Sequence, residues 1–162
     1  MAAPRLRLTP MTPTEFDRFL QELVPEYANQ NVAAGYWERS NALERARAET
    51  TQLLPKGRET PDHYFFTLKV DPAGMSVGSL WFAVRRPPSA PGGFVYDIVV
   101  DEAHRRHGYA AAALRELETF AKGLGVDRIS LHVFGSNAGA IELYRRLGYT
   151  PASLLMSKPI PK

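Results

Sequence analysis

A single α/β domain spanning residues 1–162 is the fold class that this sequence predicts, and three observations predict it. Hydrophobic periodicity switches between strand-like alternation and helical spacing several times along the chain. Clusters of Gly and Pro fall between most of those segments as punctuation. The 162 residues are 44% hydrophobic, enough to bury about two-thirds of the unfolded surface without a metal or disulfide staple. No internal repeat or low-complexity segment argues otherwise.

The elements follow in order. Residues 5–9 (Arg-Leu-Arg-Leu-Thr) alternate as a half-buried strand does. Thr12-Pro13-Thr14-Glu15 is a capping box with Pro in the first turn, and Phe16, Phe19, Leu20, Leu23, Val24 and Tyr27 form one helical face. A second helix starts at Asn41 and stops before Pro55 and Gly57. His63–Val70 and Val77–Val84 are strands joined by the turn Asp71-Pro72-Ala73-Gly74, a hairpin. A loop over Arg85–Gly93 leads to Phe94–Val100, a strand apolar enough to be buried on both faces, interrupted by one carboxylate, Asp97. Leu114, Leu117, Ala121 and Leu124 mark the next helix, Ile129–Phe134 the next strand. Asn137 caps a short helix closed by Gly148, and Ser153–Ser157 reads as a last strand.

Composition excludes several functions. With no Cys there are no disulfides, thiol nucleophiles or cysteine zinc sites. Residues 1–92 hold 11 basic and 10 acidic groups and residues 93–162 hold 9 and 7, so the net +3 is spread evenly. That pattern offers no nucleic-acid stripe. The N-terminus carries no signal pattern and no apolar run approaches membrane-spanning length, so a cytoplasmic protein without a membrane or nucleic-acid partner is expected.

The informative junction is Val100-Asp-Glu-Ala-His-Arg105-Arg106-His107-Gly108-Tyr109-Ala110. A buried strand ends there and a helix opens at small residues, so unpaired N–H groups and the helix dipole converge on one point. Arg105 and Arg106 add planar donors suited to phosphate. The competing reading is a plain helix start with solvated arginines. No Walker or dinucleotide pattern fits. His104 and His107 lack partners for a metal site and read as turn residues, with the His107 N–H offered to phosphate; no metal is expected.

Arg105-x-x-Gly108-x-Ala110 resembles the acetyl-CoA pyrophosphate signature of the GNAT superfamily of N-acetyltransferases, with Ala110 where Gly is commoner. Downstream, Asn137-Ala-Gly-Ala140-Ile-Glu-Leu-Tyr144-Arg-Arg-Leu-Gly148-Tyr149 resembles the family's second signature. The match covers residues 94–150 closely and the first 90 residues only in element order.

The resemblance implies a mixed, mostly antiparallel sheet splayed between its fourth and fifth strands and flanked by about four helices. It also implies acetyl-CoA as co-substrate, with pantetheine against the main chain of Ile98, Val99 and Val100 and pyrophosphate at Arg105–Ala110. Asn137 would serve as cap and cofactor ligand, and Tyr144 would protonate the departing thiolate while touching the cofactor. Asp97 is the candidate base and amine ligand, since a carboxylate there serves the incoming amine in some polyamine acetyltransferases the motif resembles. A structural Asp97 is the equal alternative, with water leading to a carboxylate of the N-terminal half.

Trp37, beside Tyr36, is placed where the family's acceptor pocket is walled, as ligand or as packing, whereas Trp81 reads as core. The implied function is acetyl transfer to the primary amine of a small-molecule acceptor. The alternatives are a protein or peptide N-terminal or lysine acetyltransferase, or a non-catalytic acyl-CoA-binding module. Only one strand follows the last helix where the family usually has two, so completion of the sheet edge by a second subunit, a homodimer, is expected.

Overall fold

The structure, a computed structural model, describes residues 5–87 and 91–162. The loop expected over Arg85–Gly93 therefore lies partly outside the described residues. Its flanks belong to strands: the hairpin's second strand runs to Arg85 and the next begins at Gly92.

The elements are β1 (Leu6–Pro10), α1 (Pro13–Ala33), α2 (Ala42–Leu53), β2 (His63–Val70), β3 (Met75–Arg85), β4 (Gly92–Val100), α3 (Tyr109–Gly123), β5 (Ile129–Leu131) and α4 (Ala138–Arg146). The chain divides into two compact units. Residues up to His132 hold the whole sheet and α1–α3; residues from Val133 hold α4.

The sheet order is β1-β2-β3-β4-β5. The first three pairings are antiparallel and β4–β5 is parallel, the mixed architecture expected. Only Gly93–Val95 of β4 pair with Ile129–Leu131 of β5. Tyr96–Val100 run on without a β5 partner, so the sheet opens between its fourth and fifth strands. This leaves one main-chain edge of Ile98, Val99 and Val100 without a β5 partner while the other is held by β3, at Leu80, Ser79 and Gly78. Gly78 is required here, since a Cβ would collide with the Val99 carbonyl oxygen.

The capping box is present as read: Glu15 N–H donates to Thr12 Oγ1 at 3.2 Å and Thr12 N–H to Glu15 Oε1 at 3.0 Å. It aims Phe16 and Phe19 into a core with Met11, Leu54, Phe65 and Trp81. The Phe16 and Phe65 rings meet edge to face at 4.8 Å. Each such ring contributes about 1.5–3 kcal/mol by leaving water. On α3, Leu114, Leu117 and Ala121 are buried as expected, while Leu124 becomes the C-cap.

Three sequence expectations are corrected. Phe94–Val100 is not buried on both faces: Val95 alone of that stretch is buried and Val99 is 39% exposed, because β4 runs on past its β5 partner. The strand expected over Ile129–Phe134 stops at Leu131, where its pairing with β4 ends. Residues 153–157 form no strand at all. A strand exists through its ladder, and these residues have none among the described residues; Leu154, Leu155 and Met156 are 76%, 84% and 86% exposed instead.

Candidate active site

A β-bulge organises the site. The β3–β4 register steps from Trp81↔Asp97 to Phe82↔Val95, leaving Tyr96 as the extra residue. A bulge re-aims side chains locally, and here the Tyr96 ring stacks on Trp81 at 4.5 Å and 20°. These two rings line a cavity of about 400 Å³. Leu23 and Tyr27 of α1 and Glu49, Thr50, Gln52 and Leu53 of α2 complete its walls.

The walls are held by their own contacts. The Trp81 indole N–H donates to His63 Nδ1 at 3.0 Å, so that nitrogen carries no proton. Burial pushes the His63 pKa down, which suits this acceptor role. Arg85 donates to the Tyr96 hydroxyl at 3.1 Å and lies over the Phe94 ring at 3.7 Å. Tyr27 donates to Glu49 Oε2 at 2.9 Å; burial and that carboxylate push the phenol up to about 12, so it stays neutral. Arg45 donates to Glu49 Oε1 at 3.0 Å and covers the Trp37 ring at 4.5 Å.

Asp97 follows the bulge residue and is the register partner of Trp81. Burial pushes its carboxyl up to about 7, and the negative charge of Glu26 on α1 pushes in the same direction. A carboxyl with that value exchanges protons near neutrality, as a general base must. Desolvation is the larger of the two causes.

At the C-terminal end of β4 the chain turns through a short 3₁₀ segment, Glu102–His104, into α3. Arg105 Nε donates to the Val100 carbonyl at 3.0 Å, tying the turn to the strand end. Arg106 and Gly108 both adopt left-handed backbone, φ 67° and 77°. For a non-Gly residue that conformation is uncommon and clusters at functional turns. Gly108 is the N-cap of α3 and offers no side chain; the first helical bond runs from Ala112 N–H to its carbonyl, 3.0 Å. The N–H groups of Gly108, Tyr109, Ala110 and Ala111 thus point out of the helix without an internal acceptor. His107 and Tyr109 stack at 5.6 Å on the rim. Outward N–H groups, the N-terminal end of the helix dipole and two arginines make this turn one that could hold an anionic diphosphate.

In the second unit, Asn137 caps α4 by accepting from Ala140 N–H at 3.1 Å. The Tyr144 ring packs against Tyr149 at 5.7 Å and is half-buried. The cap expected at Asn137 is therefore present. Within the first unit, Asp97, Ile98, Val99, Val100 and the Arg105–Ala110 turn lie on one continuous strand–turn–helix. Trp37 is not in the cavity wall: it packs beside Ala28, Ala42 and Ala46, with Tyr27 edge-on at 5.1 Å. Sequence reasoning missed Tyr27, Glu49, Trp81 and Tyr96. Tyr27 was visible on the apolar face of α1, but nothing local marks a bulge at Tyr96.

The sequence model of the acetyltransferase (GNAT) family matches residues 17–149. Over 155 residues the chain is 36% identical to the uncharacterized N-acetyltransferase YycN of Bacillus subtilis (strain 168), covering 96% of this chain and 99% of YycN. It is 33% identical to the uncharacterized N-acetyltransferase YdgE of the same organism, covering 94% and 97% of the two chains. The crystal structure of the putative acetyltransferase YycN superposes with a TM-score of 0.89 at 35% identity, covering 97% of this chain and 99% of that one. A mycothiol acetyltransferase of Salinispora tropica is 40% identical over 104 residues, 62% of this chain and 34% of that protein. With the two signatures, the splayed sheet and these matches in agreement, the chain belongs to the acetyltransferase (GNAT) family and is an acyltransferase.

Proposed function

We propose that this N-acetyltransferase moves the acetyl group of acetyl-CoA to the primary amine of a small-molecule acceptor, acting as a single domain over residues 1–162. The observation that carries the reading is the continuity of β4 with the turn. A main-chain edge at Ile98–Val100 that has no β5 partner, its end held by Arg105 at the Val100 carbonyl, runs into a left-handed, side-chain-free N-cap with outward N–H groups. Such an edge pairs with an extended amide-bearing arm as with an added strand. The turn, with Arg105, Arg106 and the His107, Gly108, Tyr109 and Ala110 backbone, takes the diphosphate. When bound, acetyl-CoA supplies the activated acyl group.

The chain's own residues do the rest. Asp97 receives the ammonium proton, so that the amine nitrogen has a free pair with which to attack. An open N–H of β4 polarises the acyl oxygen as negative charge develops. Tyr144 donates its hydroxyl hydrogen to the departing sulfur, and Asn137 fixes the start of α4 while meeting the cofactor. The absence of Cys supports a cytoplasmic setting. No helix among the described residues is long and apolar enough to cross a membrane. Calorimetric titration with acetyl-CoA, followed by thiol release against a panel of amines, tests the reading; no acetyl-CoA binding would end it.

Tyr144→Phe is expected to lower kcat about 10–150-fold with little change in thermal stability. A hydrogen bond to a charged sulfur is worth ~1.5–3 kcal/mol, which sets that range. The loss should shrink at high pH, since a thiolate with a pKa near 8.5 then leaves unprotonated. Native kcat in the Phe variant from pH 6 to 9 would reduce Tyr144 to packing.

The homodimer belongs to the same proposal. Leu154, Leu155 and Met156, a contiguous apolar run, and Ile160 beyond it are each at least 76% exposed, surface of the kind that partners cover. Sedimentation of the full chain at micromolar concentration should give a dimer, and the double variant Leu154→Asp, Met156→Asp a monomer. A monomeric native chain would remove the dimer.

A further inference from the structure

We infer that the acceptor of this chain is a primary amine on an apolar, aromatic-sized body that carries no carboxylate. The inference rests on the acetyl-transfer reading and narrows it. Two features of the cavity carry it: what its walls offer, and what they withhold.

The walls offer apolar surface. Trp81 and Tyr96 present stacked rings, and Leu23 and Leu53 share the lining with them. At about 400 Å³ the space admits roughly a dozen heavy atoms, taking ~30 Å³ for each as for liquid water. A phenyl or indole ring with a two-carbon amine arm fills it.

The walls withhold cationic donors. Glu49 is the one charged residue in the lining, and both of its oxygens already accept hydrogen bonds, from Arg45 and from Tyr27. The Arg45 guanidinium is committed to Glu49 and to the Trp37 ring. Arg85 is not among the lining residues; its guanidinium donates to the Tyr96 hydroxyl and lies over the Phe94 ring. The Thr50 hydroxyl donates to the Ala46 carbonyl at 2.7 Å. A carboxylate entering this cavity would lose its water and meet no cationic side chain among the described lining residues, with Glu49 in the wall and Asp97 next in the chain to the wall residue Tyr96. Burying a charge without a partner is among the costliest events a site can demand. An ammonium meets the opposite field, with Asp97 adjoining the cavity wall at Tyr96. In the step itself Asp97 takes one proton from the ammonium, a C–N bond forms as the C–S bond breaks, and the second proton shed by that nitrogen is matched by the one the sulfur gains on leaving as the thiol.

The test is thiol release from acetyl-CoA by the full chain with matched acceptor pairs. Phenethylamine is compared with phenylalanine and tryptamine with tryptophan, each pair differing only by the carboxylate. A peptide and an aminoglycoside complete the panel. The expected result is turnover of both amines, with kcat/KM at least 100-fold above that of the carboxylate twin. Gln52→Arg places a guanidinium on an exposed wall position and should narrow that ratio at least tenfold by helping the amino acids. Equal or better turnover of phenylalanine or tryptophan overturns the inference. So does turnover of the peptide or the aminoglycoside alone, while acetyl transfer itself stands. If none of the panel reacts, this acceptor class falls, and calorimetric acetyl-CoA binding then decides separately whether the acetyl-transfer reading falls with it.

Discussion

Asp97→Asn should lower kcat/KM for the amine by roughly 10²–10⁴, the range associated with removal of a positioned general base, while leaving acetyl-CoA affinity nearly intact. The accompanying pH profile makes the assignment specific. With the carboxyl pushed up to about 7 by burial and by Glu26, kcat/KM of the native chain should rise through that pH and level above it. In the Asn variant this limb should vanish, leaving only the titration of the amine itself near 10.4.

Stability should move in the direction opposite to that of an ordinary structural carboxylate. The folded carboxyl titrates near 7 against a usual value of 3.8, so between those values the folded chain holds a proton that the unfolded chain has lost. The contribution of Asp97 to stability therefore falls as pH rises through that window. Above it the fold bears a desolvated charge that Asn lacks, so the Asn variant at pH 8 should melt at or above the native temperature. A variant that keeps native turnover per folded molecule and melts lower would make Asp97 a structural group and move the base elsewhere.

The same residue marks how far the sequence could be read. That Asp97 sits alone in an apolar strand is visible in the chain, as are the capping box at Thr12, the hairpin and the turn at Gly108, because each depends on neighbours within a few positions. The bulge at Tyr96 has no such signature. It is a mismatch of register between two strands, and neither strand encodes it alone. The cavity is hidden for a related reason: Tyr27 and Glu49, bonded at 2.9 Å, belong to different helices, and Trp81 reads as core because it is core on one side. Ser153–Ser157 failed in the reverse direction. Its apolar run has strand composition, but a strand needs a partner edge, and composition cannot supply one. The overlong Ile129–Phe134 is the same error, since the splay that frees the β4 edge also ends the ladder of β5.

Gly108→Val should weaken acetyl-CoA binding by 100-fold or more in a chain that still folds. Gly108 adopts φ 77° and ψ 14° at the N-cap of α3, where the proposed function brings the diphosphate close to bare backbone. Valine acts there twice. Its branched Cβ occupies the approach, and it resists left-handed backbone at a cost of at least ~1–2 kcal/mol. For a chain of this size each kcal/mol lowers the melting temperature by about 2–4 °C, so some loss of stability is built into the variant. Gly108→Asn separates the two effects, because Asn enters the left-handed region readily. Its melting temperature should stay near native while its side chain still obstructs the turn, with affinity at least tenfold down by calorimetry. Were both variants folded and bound to acetyl-CoA with native affinity, the diphosphate would have to sit elsewhere. The outward N–H groups of Gly108–Ala111 would then be no more than the ordinary unpaired start of a helix.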